Sequence, residues 1–553
     1  MIPGRLFERF DLLGDAPETI EQLRRLVVVL AITGRLESDL QQPPNTASLL
    51  ELLQEARRGL AKRGVAINNV GLEVSVSELP ATFANADQFV RLGFLARIEK
   101  GPTGIKAARP GHYPLVVTGA ERSTCDHFDF EGAATIVPLV SSAGHGKASL
   151  NRLHYQEGKF ALGSILAAVL PYAPDLISAR FLFEYLSAFK DELLVSRMTG
   201  TANVTLTVAR IATVPVPLIS LATQRKIDEL MTLCDRLEAA RNQREQCRDR
   251  LVVASLNRIN QPAPATEGEA GTTFREYARF HLAHLPRLTI RPEHIKSLRQ
   301  TILNLAVRGR LVPQDSSDEP AAALLARSGK GRGGRDWLSN NHQQVPEAFP
   351  SPEGWVWTRI TNAVERVTVG FVGSMKTHYV SEGIPFLRSQ NVRANRFRPE
   401  GMIFISHAFH RSIMKSALSP GDVVVVRSGN VGTACAIPAS LPEANCSDLV
   451  VVKRPLALVA EFLCFYLNSL AAVHIEEGAV GVALTHFNTK LVATMPIAIP
   501  PLAEQYRIVA KVDELMAVCD QLEANLTATQ TDSRRLLEAV LHEALAPARR
   551  EAA

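Results

Sequence analysis

Hydrophobic positions along the chain follow two kinds of pattern. In two stretches they recur every three or four residues: Ile227, Leu230, Cys234 and Leu237 in the middle, and Ile508, Val512, Leu515, Cys519, Leu522 and Leu526 near the end. Asp228, Glu229, Asp235, Arg236 and Glu238 fill outward positions of the first stretch. This is the a/d seam of a coiled coil, and it predicts long helices over 219–260 and 501–553. The pattern does not name a partner: the two seams can bury each other as an antiparallel pair, or a helix of another protein can fill either. Elsewhere, short β-branched runs broken by Gly, Pro and Asn predict strands, among them Leu115 to Val117, Thr135 to Val137, Val423 to Val426 and Leu449 to Val452. The fold class is therefore α+β, with two globular domains of mixed α/β type, at 70–218 and 345–500, separated by long helices.

The same patterns are written twice. DELMTLCDRLEA (228–239) and DELMAVCDQLEA (513–524) share nine of twelve residues at an offset of 285. IEQLRRLVVVLAITGRL (20–36) aligns with IKSLRQTILNLAVRGRL (295–311) at an offset of 275, sharing Leu23/Leu298, Arg24/Arg299, Leu30/Leu305 and the closing Gly-Arg-Leu. Between these markers, Tyr185-Leu186 matches Tyr466-Leu467 and Pro215 matches Pro496 at an offset of 281. The change from 281 to 285 places four extra residues, Val509 to Val512, inside the second long helix. Four residues are about one turn, so both copies can keep the same buried face. The chain is a pseudo-two-fold repeat, each half running helix, globular domain, long helix.

The boundaries follow. Residues 1–69 are a helical region, 70–218 the first globular domain and 219–260 the central long helix. Residues 261–344 hold linkers and the second helical copy, 345–500 the second domain and 501–553 the last long helix. The Pro- and Ala-rich 261–271 and the basic, Gly-rich 329–335 read as linkers.

Composition narrows the class without choosing a partner. A hydrophobic fraction of 46% and a charged fraction of 21% are those of a globular protein, and a net charge of +5 neither demands nor forbids a polyanion. Seven cysteines without a CxxC pair indicate neither a disulfide framework nor a zinc knuckle and suit a reducing cytoplasm. The apolar run Leu26 to Ile32 is too short for a bilayer, which needs about 20 residues.

Catalytic motifs are missing. Ser141 to Ala148 is the nearest approach to a phosphate-binding loop, but Ser141 replaces its first Gly and Ala148 its hydroxyl residue. The Pro-Pro pairs Pro43-Pro44 and Pro500-Pro501 lack the Asn/Asp before and the aromatic after that grip a flipped adenine. The histidine pairs His281/His284 and His407/His410 lack a Cys or Glu to complete a metal set, so no metal is expected. The chain reads as a binder. In the second domain Arg388-Ser389-Gln390-Asn391 and Arg427-Ser428-Gly429-Asn430 each follow a predicted strand. Arg pairs bidentately with guanine and Asn or Gln with adenine, so these loops suit base edges. Either could instead be an ordinary polar strand end.

These residues together resemble the specificity subunits of type I restriction–modification systems, over nearly the whole chain. The marks are LSPGDVVVVRSGNVGTACAIP (418–438), GIPFLRSQNV (383–392), IAIPPLAEQYRIVAKVDELM (497–516) and the Gly-Arg-Leu helix ends. They recur more weakly in PVPLISLATQRKIDELM (215–231), and residues 113–147 look like a divergent branch of the same domain. The resemblance implies two target-recognition domains, each reading half of an asymmetric, split double-stranded DNA site, with paired helices fixing the spacer. It implies docking of two methyltransferase subunits and of restriction subunits, with S-adenosylmethionine, ATP and magnesium on those partners and no cofactor on this chain. Candidate DNA contacts then extend to Arg122, Ser123, His145, Lys147 and Asn203 in the first domain, and to His486 and Asn488 in the second. The competing classes are a stand-alone nuclease or methyltransferase, and a scaffold that binds only proteins.

Overall fold

The computed structural model describes residues 19–36, 46–65, 67–143, 146–261, 267–329, 345–375, 377–477 and 488–545. The chain divides into two compact units, residues 1–245 with 529–553, and residues 246–528. Their organising helices are α1 (Thr19–Ile32), α2 (Ala179–Ala188), α3 (Leu221–Asn260), α4 (Pro292–Val307), α5 (Ala460–Glu477) and α6 (Leu502–Leu545). The long helices contain 40 residues in α3 and 44 in α6, a difference equal to the four-residue insertion. Among the described residues no helix is long and apolar enough to cross a membrane.

Among the described residues, three sheets build the domain of the first unit. A short pair joins β1 (Phe89–Arg91) to β10 (Pro215–Pro217). An antiparallel sheet is ordered β2 (Ala96–Lys100), β9 (Leu166–Pro171), β6 (Ala134–Pro138), β7 (His154–Gln156). Another is ordered β4 (Ser123–Cys125), β3 (Tyr113–Val116), β8 (Lys159–Leu162), β5 (Phe130–Glu131), with β3 and β8 parallel.

The second unit repeats this plan. β11 (Val356–Arg359) pairs with β23 (Pro496–Ile499), and a sheet is ordered β12 (Val364–Val369), β22 (Leu449–Pro455), β19 (Val423–Val426), β20 (Ala434–Ala436). The other large sheet is ordered β13 (Tyr379–Val380), β17 (Ile403–Ile405), β14 (Ile384–Leu387), β21 (Ala444–Cys446), β18 (Ala417–Leu418), with β14 and β21 parallel. A hairpin of β15 (Val392–Arg393) and β16 (Arg396–Phe397) is added here.

The uninterrupted apolar strands have a physical reason. Val423 and Val425 pack with the α5 residues Phe462 and Tyr466, while Val424 and Val426 pack with Leu387 and Cys446 of the neighbouring sheet. A strand covered on both faces reads as a solid Val run rather than an alternation. In the first unit β9 does the same, giving Ala167 and Val169 to the helical side and Leu166, Ala168 and Leu170 to the other. The two sheets touch where a backbone passes with no room for a side chain. A Cβ on Gly370 would collide with the Ser447 carbonyl oxygen, and one on Gly101 with that of Gly163.

Matched polar contacts lock the helices. Arg24 Nη2 meets Asp235 at 2.6 Å and Glu238 at 3.0 Å, and Arg299 Nη2 meets Asp520 at 2.6 Å and Glu523 at 2.8 Å. The duplicated Arg thus grips the duplicated acidic pair. Gln224 and Gln505 are fully buried at the start of α3 and α6. The Gln224 amide donates to the Leu176 and Ile219 carbonyls and accepts from Ser178 N–H. Gln505 donates to Ala457 and Pro500 and accepts from Val459 N–H. Buried Tyr185 and Tyr466 donate to the carbonyls of Pro215 and Pro496. The Gly-Arg-Leu repeats are helix ends: Gly34 and Gly309 both hold φ +67, where glycine carries no steric cost.

The helical stripe differs in detail from the sequence expectation. Ile227, Met231 and Cys234 are buried on α3, Leu230 is half-buried and Leu237 is 39% exposed. Arg24 of α1 reaches Asp235 and Glu238 of this helix. On α6, Ile508, Val512 and Cys519 are buried while Leu515, Leu522 and Leu526 are half-buried. Within the first unit Leu26 of α1 also packs on Leu537 and Leu541 of α6. Within the second, Leu305 of α4 packs on Val252, Leu256 and Ile259 of α3.

Replacing Gln505 by Ala removes three hydrogen bonds and strands buried carbonyl and N–H groups, at about 3 kcal/mol. A lower urea midpoint for the Gln505→Ala chain, with unchanged slope, is the expected result.

Candidate nucleic-acid interface

In the second unit the C-terminal ends of three strands converge. Ser447 N–H donates to Leu387 O at 2.9 Å, which sets the end of β14 beside the end of β21. Val426, the last residue of β19, pairs with Leu449 just beyond. Arg388 to Asn391, Arg427 to Asn430 and Asp448 therefore share one edge of the domain. Arg427 ion-pairs with Asp448, so the basic group is held at the edge by a carboxylate. Ser428 and Asn430 are exposed in the turn that follows, closed by Gly432 N–H donating to Val426 O at 3.0 Å.

The Arg388 loop divides its labour. Asn391 is fully buried: its amide donates to Arg398 O at 3.0 Å and Glu400 O at 3.3 Å, and its oxygen accepts from Arg388 N–H at 3.0 Å. It shapes the loop and presents nothing outward. Arg388 and Gln390 both donate to Gly401 O, at 3.1 and 3.0 Å, and Ser389 and Gln390 are exposed. Asn488 is the N-cap of the helix Thr489–Thr494, accepting from Leu491 N–H at 2.8 Å, as Thr207 caps Val208–Ala212 in the first unit. His145 and His486 lie outside the described residues.

The segment from Arg388 onward is basic in sequence. Residues 388–415 hold Arg388, Arg393, Arg396, Arg398, Arg411 and Lys415 against one acid, Glu400. The tip of the added hairpin is Asn395 at φ 59, a left-handed turn that Asn tolerates. Its side chain accepts from Asn468 Nδ2 at 2.6 Å, which ties it to α5. Arg393 and Arg396 flank this tip and escape strand-end reasoning, although the charge imbalance is readable in the sequence.

The first unit presents different chemistry. Lys147 and Asn203 come together from separate loops, lining a cavity of about 320 Å³ with Ser141, Gly146 and Thr205. Ser141 organises the loop, donating to Lys147 O at 2.6 Å and accepting from Ala143 and Ser149 N–H. Ser123 is exposed on β4, but Arg122 is turned inward: it donates to Gln156 Oε1 at 3.1 Å, to His154 Nδ1 at 3.3 Å and to Tyr155 O at 3.2 Å. Burial lowers the Arg122 pKa. Burial first, and then Arg122 and Arg152, depress His154 to about 4. Residues 117–131 carry one Arg, Arg122, against Glu121, Asp126, Asp129 and Glu131. The triplet Cys125-Asp126-His127, whose donor atoms lie within 4.8 Å of one another, carries none of the spaced-ligand signatures by which a metal set is recognised in sequence.

Residues 370–529 match the family model described as the type I restriction modification DNA specificity domain. The chain is 25% identical over 555 residues to the specificity subunit of the type I restriction enzyme EcoAI of Escherichia coli, covering 93% of this chain and 92% of that protein. It is 24% identical over 588 residues to the EcoEI specificity subunit of the same organism, covering 95% and 94%. A solved chain from a study of complex assembly in a type I restriction–modification system has a TM-score of 0.49 at 16% identity, over 83% of this chain and 97% of that one.

His154 yields a pH prediction. Its folded pKa of about 4 lies below the ordinary histidine value of 6.5, so the unfolded chain takes up the proton first as pH falls. The neutral ring's stability is fully present above about pH 6.5 and is lost as pH drops toward 4, on the order of 3 kcal/mol. Thermal melts from pH 7 to 4 should fall less steeply for His154→Gln than for the parent.

Proposed function

We propose, from the premise that this chain belongs to the type I restriction–modification specificity subunits, that it directs such a complex to an asymmetric, two-part DNA site. It is the DNA sequence-specificity component and is not itself an enzyme. Each mixed-fold domain reads one half-site. The observation that supports this reading is the pairing of one strand topology, repeated in both domains, with edge chemistry that differs between them: a basic Arg388/Arg427 edge in the second and a Lys147/Asn203 cleft in the first. A shared scaffold with unlike edges suits two different half-sites better than a palindrome.

Methyltransferase and restriction subunits would supply the chemistry, with S-adenosylmethionine, ATP and magnesium bound to them. The long helices α3 and α6 act as the ruler for the unread spacer. Loop residues that fasten their own fold, Asn391 and Asn488, position the reading edge, whereas Ser389, Gln390, Ser428, Asn430, Lys147 and Asn203 face DNA. Arg388 and Arg427 reach phosphate or guanine once duplex DNA competes for their partners.

Mapping adenine methylation in the host genome with and without this gene tests the reading: a split, asymmetric motif should disappear on deletion. Arg388→Ala with Arg427→Ala should weaken binding of duplex carrying that motif and reduce the salt slope by roughly 1 for each phosphate no longer neutralised. Unchanged affinity would point to a protein scaffold, and methylation or cleavage by the purified chain alone would point to an enzyme. Deleting Val509 to Val512 should change the spacer length in the methylated motif and leave both half-sites intact.

A further inference from the structure

The hairpin of β3 and β4 ends in three consecutive metal-ligating side chains. Cys125 Sγ lies 3.4 Å from His127 Nδ1 and 3.8 Å from Asp126 Oδ1, and His127 Nδ1 lies 2.8 Å from Asp126 Oδ1. Around tetrahedral zinc, with Zn–S near 2.3 Å and Zn–N or Zn–O near 2.0–2.1 Å, such atoms stand about 3.3–3.6 Å apart. All three separations are within about half an ångström of that range. Thiolate, imidazole and carboxylate together suit zinc rather than magnesium or calcium, which take oxygen donors.

The surroundings orient these donors. The other nitrogen of the ring, His127 Nε2, lies 3.0 Å from Thr103 Oγ1 and 3.6 Å from Asp129 Oδ1. The Asp129 side chain is 8% exposed, accepting from Leu162 N–H and Thr103 Oγ1, each at 2.7 Å. The ring nitrogen can therefore donate to Thr103 Oγ1, whose own hydroxyl donates to Asp129, and such a hydrogen-bonded partner behind a histidine fixes the ring orientation. Cys125 is buried while Asp126 and His127 are about half exposed, so a fourth position faces water. Beyond the site's own Asp126 and Asp129, residues 117–131 add Glu121 and Glu131 against Arg122, with Lys159 4.0 Å from Glu131. The equivalent stretch of the second domain, from Arg388 onward, is basic.

We propose that Cys125, Asp126 and His127 form a zinc site in the first reading domain, with Thr103, itself held by Asp129, orienting His127 and a water completing the tetrahedron. Binding releases the Cys125 thiol proton to solvent and sets a dication among the acids of the hairpin. The role of the site in DNA binding rests on the function proposed above; the metal site itself does not.

Titrating the reduced full-length chain with Co²⁺ tests the site directly. A thiolate-to-cobalt charge-transfer band should saturate at one equivalent, bleach when Zn²⁺ is added and persist in Cys247→Ser, which removes the exposed cysteine. Cys125→Ser should abolish it. Since Cys125 is buried, His127→Ala, at a half-exposed position, is the companion variant: it should keep its circular dichroism and melting behaviour in chelator yet lose the band. No band in the parent chain, or a band unaltered in His127→Ala, overturns the site. If the band behaves as expected but chelation leaves duplex binding unchanged, the electrostatic role falls while the zinc site stands. A chain that binds no DNA with or without zinc would count against the functional reading alone.

Discussion

A single buried amide fastens each half of the molecule. Gln224 and Gln505 have no exposed surface, and each spends its donors and its acceptor on three backbone groups around the start of a long helix. A buried amide left unpaired is costly, so the helix can leave its domain in one direction only. The Arg24 and Arg299 clamps act further along, where half-exposed charges add less energy but fix the angular register of α1 on α3 and of α4 on α6. Everything at the reading edges depends on these joints, because the edges are loops carried by sheets that the joints hold against the helices.

Much of this plan was legible in the sequence because it is periodic and local. The a/d repeat of Ile508, Val512 and Cys519 and the solid run Val423 to Val426 each follow from which faces are covered, and both are buried. The duplicated Arg and Asp/Glu markers also meet in space in each unit, a contact the pattern did not state, since it set Asp235 and Glu238 outward. The parallel pairs β3 with β8 and β14 with β21 were not legible, since they join residues far apart in the chain and rest on the close passages at Gly101 and Gly370. The exposure of Leu237 was hidden for a related reason. A heptad pattern states a period, and the neighbours decide which side of it is covered.

The candidate interface was harder to read because polar residues serve two masters. Arg388, Asn391, Arg427 and Asn488 are all marked by type and by position after a strand or before a helix. The folded chain spends Asn391 on its own loop and Asn488 on a helix cap, and it presents Ser428 and Asn430 to solvent. A side chain that satisfies buried carbonyls and one that waits for a base have the same one-letter code. Only the partner distances separate them.

The extra turn in α6 removes an equivalence that the duplication began with. Eleven positions separate Gln224 from Asp235, and fifteen separate Gln505 from Asp520. At about 1.5 Å per residue the joint and the clamp stand some 6 Å further apart in the second half. The duplication has thus become polar: the two joint-to-clamp spacings are no longer interchangeable.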